Sequence, residues 1–164
     1  MFNNQSNSRI LLYIPSLRGG GAERVAVELA RRWAYDGHEI IFLTQSDPST
    51  DVYQLDSRVE RVSLNSFGKR GLFGHLSQIF RLRRELKRYR PDVVVSFMTS
   101  ASVFAIIAAM GLPCKVIATE HAYPPFQKLS GRWRRLRKMF YPKAAQVVTL
   151  TQATAEYFKK AIPK

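Results

Sequence analysis

The chain has 164 residues, 46% of them hydrophobic, enough for one domain with a real core and too few for two of ordinary size. Its 26 Lys and Arg against 12 Asp and Glu leave a formal charge of +14, which calls for an anionic partner: lipid headgroups, nucleic acid or a phosphorylated substrate. A single cysteine, Cys114, excludes an internal disulfide framework, and the polar residues 1–8 lack the basic start and apolar middle of a secretory signal. We read 1–8 as a short disordered lead-in and 9–164 as one cytosol-facing domain.

The apolar run ending in Pro15 makes a first strand over 9–15, covered on both faces. It leads into Gly19, Gly20 and Gly21, and a helix follows. Glycine lets the backbone turn sharply and approach a ligand, and the next helix offers unpaired N–H groups to phosphate. The spacing matches neither the dinucleotide G-x-G-x-x-G pattern nor the Walker pattern. In the helix, Ala22, Val25, Ala26, Leu29, Ala30 and Trp33 form an apolar stripe, with Glu23, Arg24, Glu28, Arg31 and Arg32 opposite. Gly37 stands where a left-handed cap would end it, before a second strand over 39–44.

A polar stretch over 45–57 precedes a third, outer strand near 59–64. Residues 65–74, with Gly68, Gly71, Lys69 and Arg70, read as an exposed loop. Leu72, Leu76, Ile79, Leu82, Leu86 and Tyr89 then follow a helical repeat that stops before Pro91. Residues 93–114 carry no charge and match the ~30 Å of a bilayer core in length. Ser96, Thr99, Ser100 and Ser102, with Gly111 and Pro113, divide them instead into a fourth strand over 92–97 and a helix over 101–110. A fifth strand covers 115–119, a basic stretch 128–143, a sixth strand 146–150, and a last helix runs from 151 to 160.

Alternating strands and helices imply an α/β domain: a doubly wound, mostly parallel, Rossmann-like sheet with the first and fourth strands adjacent at its switch point. Ligands bind beyond the carboxyl ends of such strands. Gly19–Gly21, Ser96–Ser100 and Glu120-His121 all fall there, so Ser100 joins the glycines as a candidate ligand contact.

These residues resemble a known family. Ile14 to Arg24 around the glycines, Asp36-Gly37-His38-Glu39-Ile40, Pro91 to Ser96 and Thr119-Glu120-His121 look like the N-terminal half of GT-B glycosyltransferases of the family 4 type, over nearly the whole chain from Arg9. The resemblance implies transfer of a sugar from a nucleotide-sugar donor, commonly a UDP-sugar, to a cell-surface polysaccharide, glycolipid or lipid-linked acceptor. It implies that this half binds mainly the acceptor while its glycine loop nears the donor phosphates. His121 matches the family's strand-end histidine, which hydrogen-bonds the donor sugar or transition state, and Glu120 is a second catalytic candidate. No metal and no cofactor beyond the donor is expected. The family's second, nucleotide-holding domain has no counterpart within these 164 residues, so the chain alone is expected to be an incomplete transferase. The alternative is a non-catalytic acceptor- or membrane-binding subunit that partners a separate donor-binding chain.

The basic stretch bears on location. Trp133, Leu136 and Phe140 fall near one helical face and Arg134, Arg137 and Lys138 on another, an interfacial pattern. We therefore expect Arg132, Trp133, Arg134, Arg137 and Lys138 to face an anionic membrane, placing the protein at the inner face of the cytoplasmic membrane. Nucleic acid is the weaker partner, because no zinc-finger spacing or RNA-recognition signature accompanies the charge. A nicotinamide dehydrogenase is disfavoured by Thr44-Gln45, where an acid for the ribose belongs.

Overall fold

A computed structural model describes residues 7–65, 71–127 and 129–162. Six strands, β1 (Arg9–Ile14), β2 (Glu39–Thr44), β3 (Glu60–Ser63), β4 (Val93–Phe97), β5 (Lys115–Glu120) and β6 (Gln146–Thr149), form one sheet. Its order is β3-β2-β1-β4-β5-β6 and all pairs are parallel. The register sets Leu12 of β1 between Phe42 and Val95, so the switch point lies between β1 and β4 as the alternation predicts.

Helix α1 (Gly21–Tyr35) covers one face, over Ile10, Leu12, Ile14, Phe42 and Phe97. Helices α2 (Gly71–Tyr89), α3 (Thr99–Ala109), α4 (Gly131–Phe140) and α5 (Gln152–Ala161) contribute to the other, over Leu11, Tyr13, Val94, Val116 and Ala118. Right-handed crossovers produce this division, because β1 to β2 moves toward one edge of the sheet and β3 to β4 returns across it. The uncharged segment is β4 plus α3, which is buried on almost every side; among the described residues no helix is long and apolar enough to cross a membrane. Its hydroxyls are satisfied internally: Ser96 Oγ donates to Ser102 Oγ at 3.0 Å and Thr119 Oγ1 to the Ser96 carbonyl at 2.9 Å.

The left-handed stop to α1 is present. Gly37 has φ of +94°, its N–H bonds the Ala34 carbonyl, and that of His38 reaches back to Trp33. The apolar stripe differs from expectation. Ala22, Ala26, Ala30 and Ala34, one turn apart, let the helix sit close to the sheet, whereas Val25 is exposed and Glu23 buried. The expected loop over 65–74 is corrected as well, since α2 already begins at Gly71; residues 66–70 lie outside the described residues. Of the lead-in, 1–6 lie outside them too, while the Ser8 carbonyl accepts from the Glu39 N–H at 3.1 Å.

Candidate active site

The three glycines differ in what they do. Gly19 has φ of +103°, a left-handed conformation that turns the chain out of β1. Gly20 is the N-cap of α1 in extended conformation, and its carbonyl takes the first helical bond from Arg24 at 3.1 Å. Gly21 opens the helix with no atom within 4 Å of where a side chain would start. No side chain caps this first turn by a hydrogen bond, and the positive end of the helix dipole lies behind its N–H groups.

This loop is braced from β2's far end. The N–H groups of Gln45 and Ser46 both donate to the Pro15 carbonyl at 3.1 Å, that of Val52 to Leu17 at 2.8 Å, and the Tyr53 hydroxyl to Gly20 at 3.3 Å. Sequence reading missed the brace, because 45–57 showed only turn residues. A polar groove of about 330 Å³ lies alongside, lined by Arg18, Gln45, Asp47, Thr50 and Asn65. Two other cavities, about 600 and 290 Å³, open at the opposite edge around Arg90, Pro91, Cys114 and Lys115.

His121 follows β5 on the α1 face. Its ring stacks on Phe97 at 5.4 Å between centroids, and Nε2 lies 3.2 Å from Thr119 Oγ1. Because the Thr119 hydroxyl proton is already donated to Ser96, Nε2 carries the proton and Nδ1 is left as an acceptor. Partial burial pushes the imidazole pKa down, opposed by the Glu23 carboxylate. Glu23 is the residue that links this histidine to the loop. It sits in the first turn of α1, nine-tenths buried, with its carboxylate folded over Gly20.

Glu120 does not share this role. Strand pleating sends it to the opposite face, where Oε1 accepts from Thr99 Oγ1 at 2.8 Å and from the Tyr141 hydroxyl. Its Oε2 is buried without a hydrogen-bond partner among the described residues. Burial raises its pKa, while the hydrogen bonds from Tyr141 and Thr99 and the charge of Arg137 lower it. It is 2% exposed, so the expectation that it orients His121 or meets acceptor hydroxyls is corrected.

Ser100 is half-buried in the first turn of α3, two residues after the N-cap Met98, which has φ of +72° and ψ of 153°. A non-glycine residue so placed stores about 1–3 kcal/mol of strain, held here by the Met98 N–H donating to the Thr119 carbonyl at 3.1 Å. Nothing in the sequence marked Met98. The carboxyl edge thus gathers Gly19, Gly20, Gly21, Glu23, Met98, Ser100 and His121 from β1, β4 and β5, and leaves Glu120 out.

The basic helix α4 divides. Arg132, Arg134 and Lys138 are exposed, but Trp133 packs edge-on to Phe104 at 5.5 Å and Arg137 is buried. The Arg137 guanidinium lies 5.1 Å from the Phe158 ring and donates to Gln127 Oε1 at 3.1 Å. The expected membrane-facing orientation of Trp133 and Arg137 is therefore corrected: one ring fills an apolar gap and the other cation neighbours Glu120. Among the described residues no group of three or more His, Cys, Asp or Glu is placed to hold a metal ion.

The model of Glycosyltransferase Family 4 matches residues 19–164, which starts at the glycine loop and includes His121. The chain belongs to glycosyltransferase family 4. One family relative is GalNAc-alpha-(1->4)-GalNAc-alpha-(1->3)-diNAcBac-PP-undecaprenol alpha-1,4-N-acetyl-D-galactosaminyltransferase of Campylobacter jejuni, 28% identical over 160 residues. That match takes in 95% of this chain and 44% of the relative. Among solved structures, the lipopolysaccharide outer core galactosyltransferase WaaB in its apo form superposes with a TM-score of 0.72 at 15% identity, covering 93% of this chain and 42% of that one. Anabaena HepE in complex with UDP gives 0.69 at 19%, covering 93% and 40%. The family 4 chain described here thus spans less than half the length of these relatives, and its sheet has the fold of one GT-B half.

Proposed function

We propose that this chain is the acceptor-facing half of a transferase that moves a sugar from a nucleotide diphosphate donor, such as a UDP-sugar, to a lipid-linked or polysaccharide acceptor at the inner face of the cytoplasmic membrane. The observation that carries the reading is the convergence of the uncapped first turn of α1 with His121, stacked on Phe97, at one sheet edge. When the bond between sugar C1 and the diphosphate breaks, its electron pair stays on phosphate oxygen. Preorganised N–H donors and a helix dipole stabilise that growing charge without metal. His121 has Nδ1 available to accept a hydrogen bond from a sugar hydroxyl, its ring held by Phe97 and Thr119. The groove bounded by Arg18, Gln45 and Asp47 offers donors and acceptors of the kind that acceptor hydroxyls pair with. A second domain or a separate chain completes the nucleotide site.

Two names support this reading: a relative that is an N-acetylgalactosaminyltransferase named for a PP-undecaprenol-linked saccharide, and a structural neighbour in complex with UDP. In a transferase carrying this half, His121→Ala should lower turnover about tenfold or more in a variant that still melts cooperatively. Turnover equal to the wild type would refute the role of His121.

A further inference from the structure

Helix α2 buries Gln78, Leu82, Glu85 and Leu86, yet its outer side is not polar. Leu72 is 70% exposed, Phe73 88%, Leu76 42% and Phe80 69%. Leu72, Leu76 and Phe80 follow one another at intervals of four, and Phe73 lies three and seven residues before the last two. Together they make one apolar stripe about 12 Å long at 1.5 Å per residue. Solvent-facing helix surfaces normally carry charge at such positions, and a contiguous apolar patch on a charged protein marks a contact surface.

The surroundings of the stripe have one sign. Exposed Arg84 continues it one turn beyond Phe80. His75, in the second turn of α2, lies 5.6 Å from the Trp133 ring and feels the charge of Arg132, so the start of α4 adjoins the start of the stripe. The outer face of α4 then adds exposed Arg134, Arg135 and Lys138, with Met139 at 52% exposure. No Asp or Glu occurs between Arg61 and Arg84, or between His121 and Ala155. Glu85 is buried.

We propose that the outer face of α2, rimmed by the outer face of α4, is the surface on which this protein lies against an anionic lipid bilayer. Leu72, Phe73, Leu76 and Phe80 enter the interface between headgroups and acyl chains, and Arg84, Arg132, Arg134, Arg135 and Lys138 sit at headgroup level. A second copy of the chain is a poorer occupant, because it would set +14 against +14 across the contact. The bilayer meets the apolar stripe and the basic rim at once. The inference deepens the proposed function and rests on it in one respect, the lipid-linked acceptor. The first turns of α2 and α4 stand at the edge where β3 and β5 end, so an acceptor headgroup in that leaflet would reach the protein on the side of His121 and the glycine loop. The contact residues differ from those that hydropathy picks out in α4, since Trp133 and Arg137 face inward.

The test is co-sedimentation of the 164-residue chain with phosphatidylglycerol-containing vesicles and with pure phosphatidylcholine vesicles, at low and high salt. The chain should bind the anionic vesicles. The pair Phe73→Ser and Phe80→Ser should weaken binding tenfold or more at both salt levels. The triple change Arg134→Gln, Arg135→Gln, Lys138→Gln should weaken it mainly at low salt, and Tyr35→Ser, on α1 across the sheet, should leave it unchanged. Thermal melts check that the variants fold, which exposed positions permit. Absence of binding to anionic vesicles, wild-type binding by the phenylalanine pair, or a dimer in sedimentation equilibrium that the same pair dissolves would each overturn the proposal. Vesicle binding together with a complete enzyme that transfers no sugar would uphold the surface and remove only the transferase reading.

Discussion

Alanine placed in turn at the three glycines separates backbone need from ligand need. At Gly19 the φ of +103° disfavours any L-residue, so Gly19→Ala should cost about 1–2 kcal/mol. In a chain of this size that lowers the melting temperature by about 2–8 °C. At Gly20 the backbone is extended, but a Cβ would stand 2.5 Å from Glu23 Oε2. The flexible carboxylate can swing away, so Gly20→Ala should melt within about 1 °C of the wild type, a shift of less than ~0.5 kcal/mol. It should also lower the His121 pKa further, because the anion that raises it has moved. At Gly21 nothing lies within 4 Å and the residue opens a helix. Gly21→Ala should therefore hold or gain up to about 0.5 kcal/mol, while its methyl group crowds the approach to the first-turn N–H groups. Melting curves paired with a UDP titration read both quantities, with affinity expected to fall about tenfold for Gly21→Ala alone, equivalent to ~1.4 kcal/mol. Full UDP affinity in Gly21→Ala would refute backbone recognition of the diphosphate, and an unchanged melting temperature in Gly19→Ala would refute the left-handed turn.

Three further outcomes follow from buried groups. The folded protein holds the Glu120 proton more tightly than the unfolded chain, so that stabilisation is complete below the unfolded carboxyl pKa of about 4.3 and is lost as pH rises through the folded value. Glu120→Gln should accordingly gain on the wild type in melting temperature between pH 4 and pH 8, and a pH-independent difference would contradict the burial argument. His75 and His121 have pKa values pushed down by burial, so both stabilise the fold above the unfolded value of about 6.5 and lose that contribution as pH falls below it. The melting temperature of the wild type relative to His75→Gln should therefore fall as pH is lowered from 7.5 to 5.5, and a pH-independent difference would contradict it. Trp133→Ala should cost about 2 kcal/mol, because the ring packs on Phe104 and His75, and a variant that melts like the wild type would show the ring to be free.

Much of this arrangement is legible from residue order. Continuous apolar runs bounded by Gly and Pro locate the strands, Gly37 ends α1 as its position requires, and parallel connectivity brings Gly19–Gly21, Ser100 and His121 to one edge. What hydropathy does not carry is which side of an element meets which neighbour. Glu120 and His121 are adjacent in sequence yet lie on opposite faces of a pleated strand. Arg137 looks solvent-bound by charge alone; only the fold brings Gln127, Phe158 and Glu120 around it. The repeat Leu72, Leu76, Ile79, Leu82, Leu86 and Tyr89 has the periodicity of a core helix, yet Leu72 and Leu76 lie outside because α3, rather than the first turns of α2, fills the space above the sheet. The brace from 45–53 works through backbone groups, which leave little trace in side-chain identity.

The opposed facing of Glu120 and His121 has a consequence for how such sequences can drift. Position 120 answers to Thr99, Gln127, Arg137 and Tyr141, and position 121 to Phe97, Thr119 and Glu23. The two neighbourhoods share no side chain. Substitutions at 120 should therefore be tolerated when Arg137 and Tyr141 change in concert. Those at 121 should track Phe97, Thr119 and the glycine loop, so that two neighbouring letters keep separate evolutionary clocks.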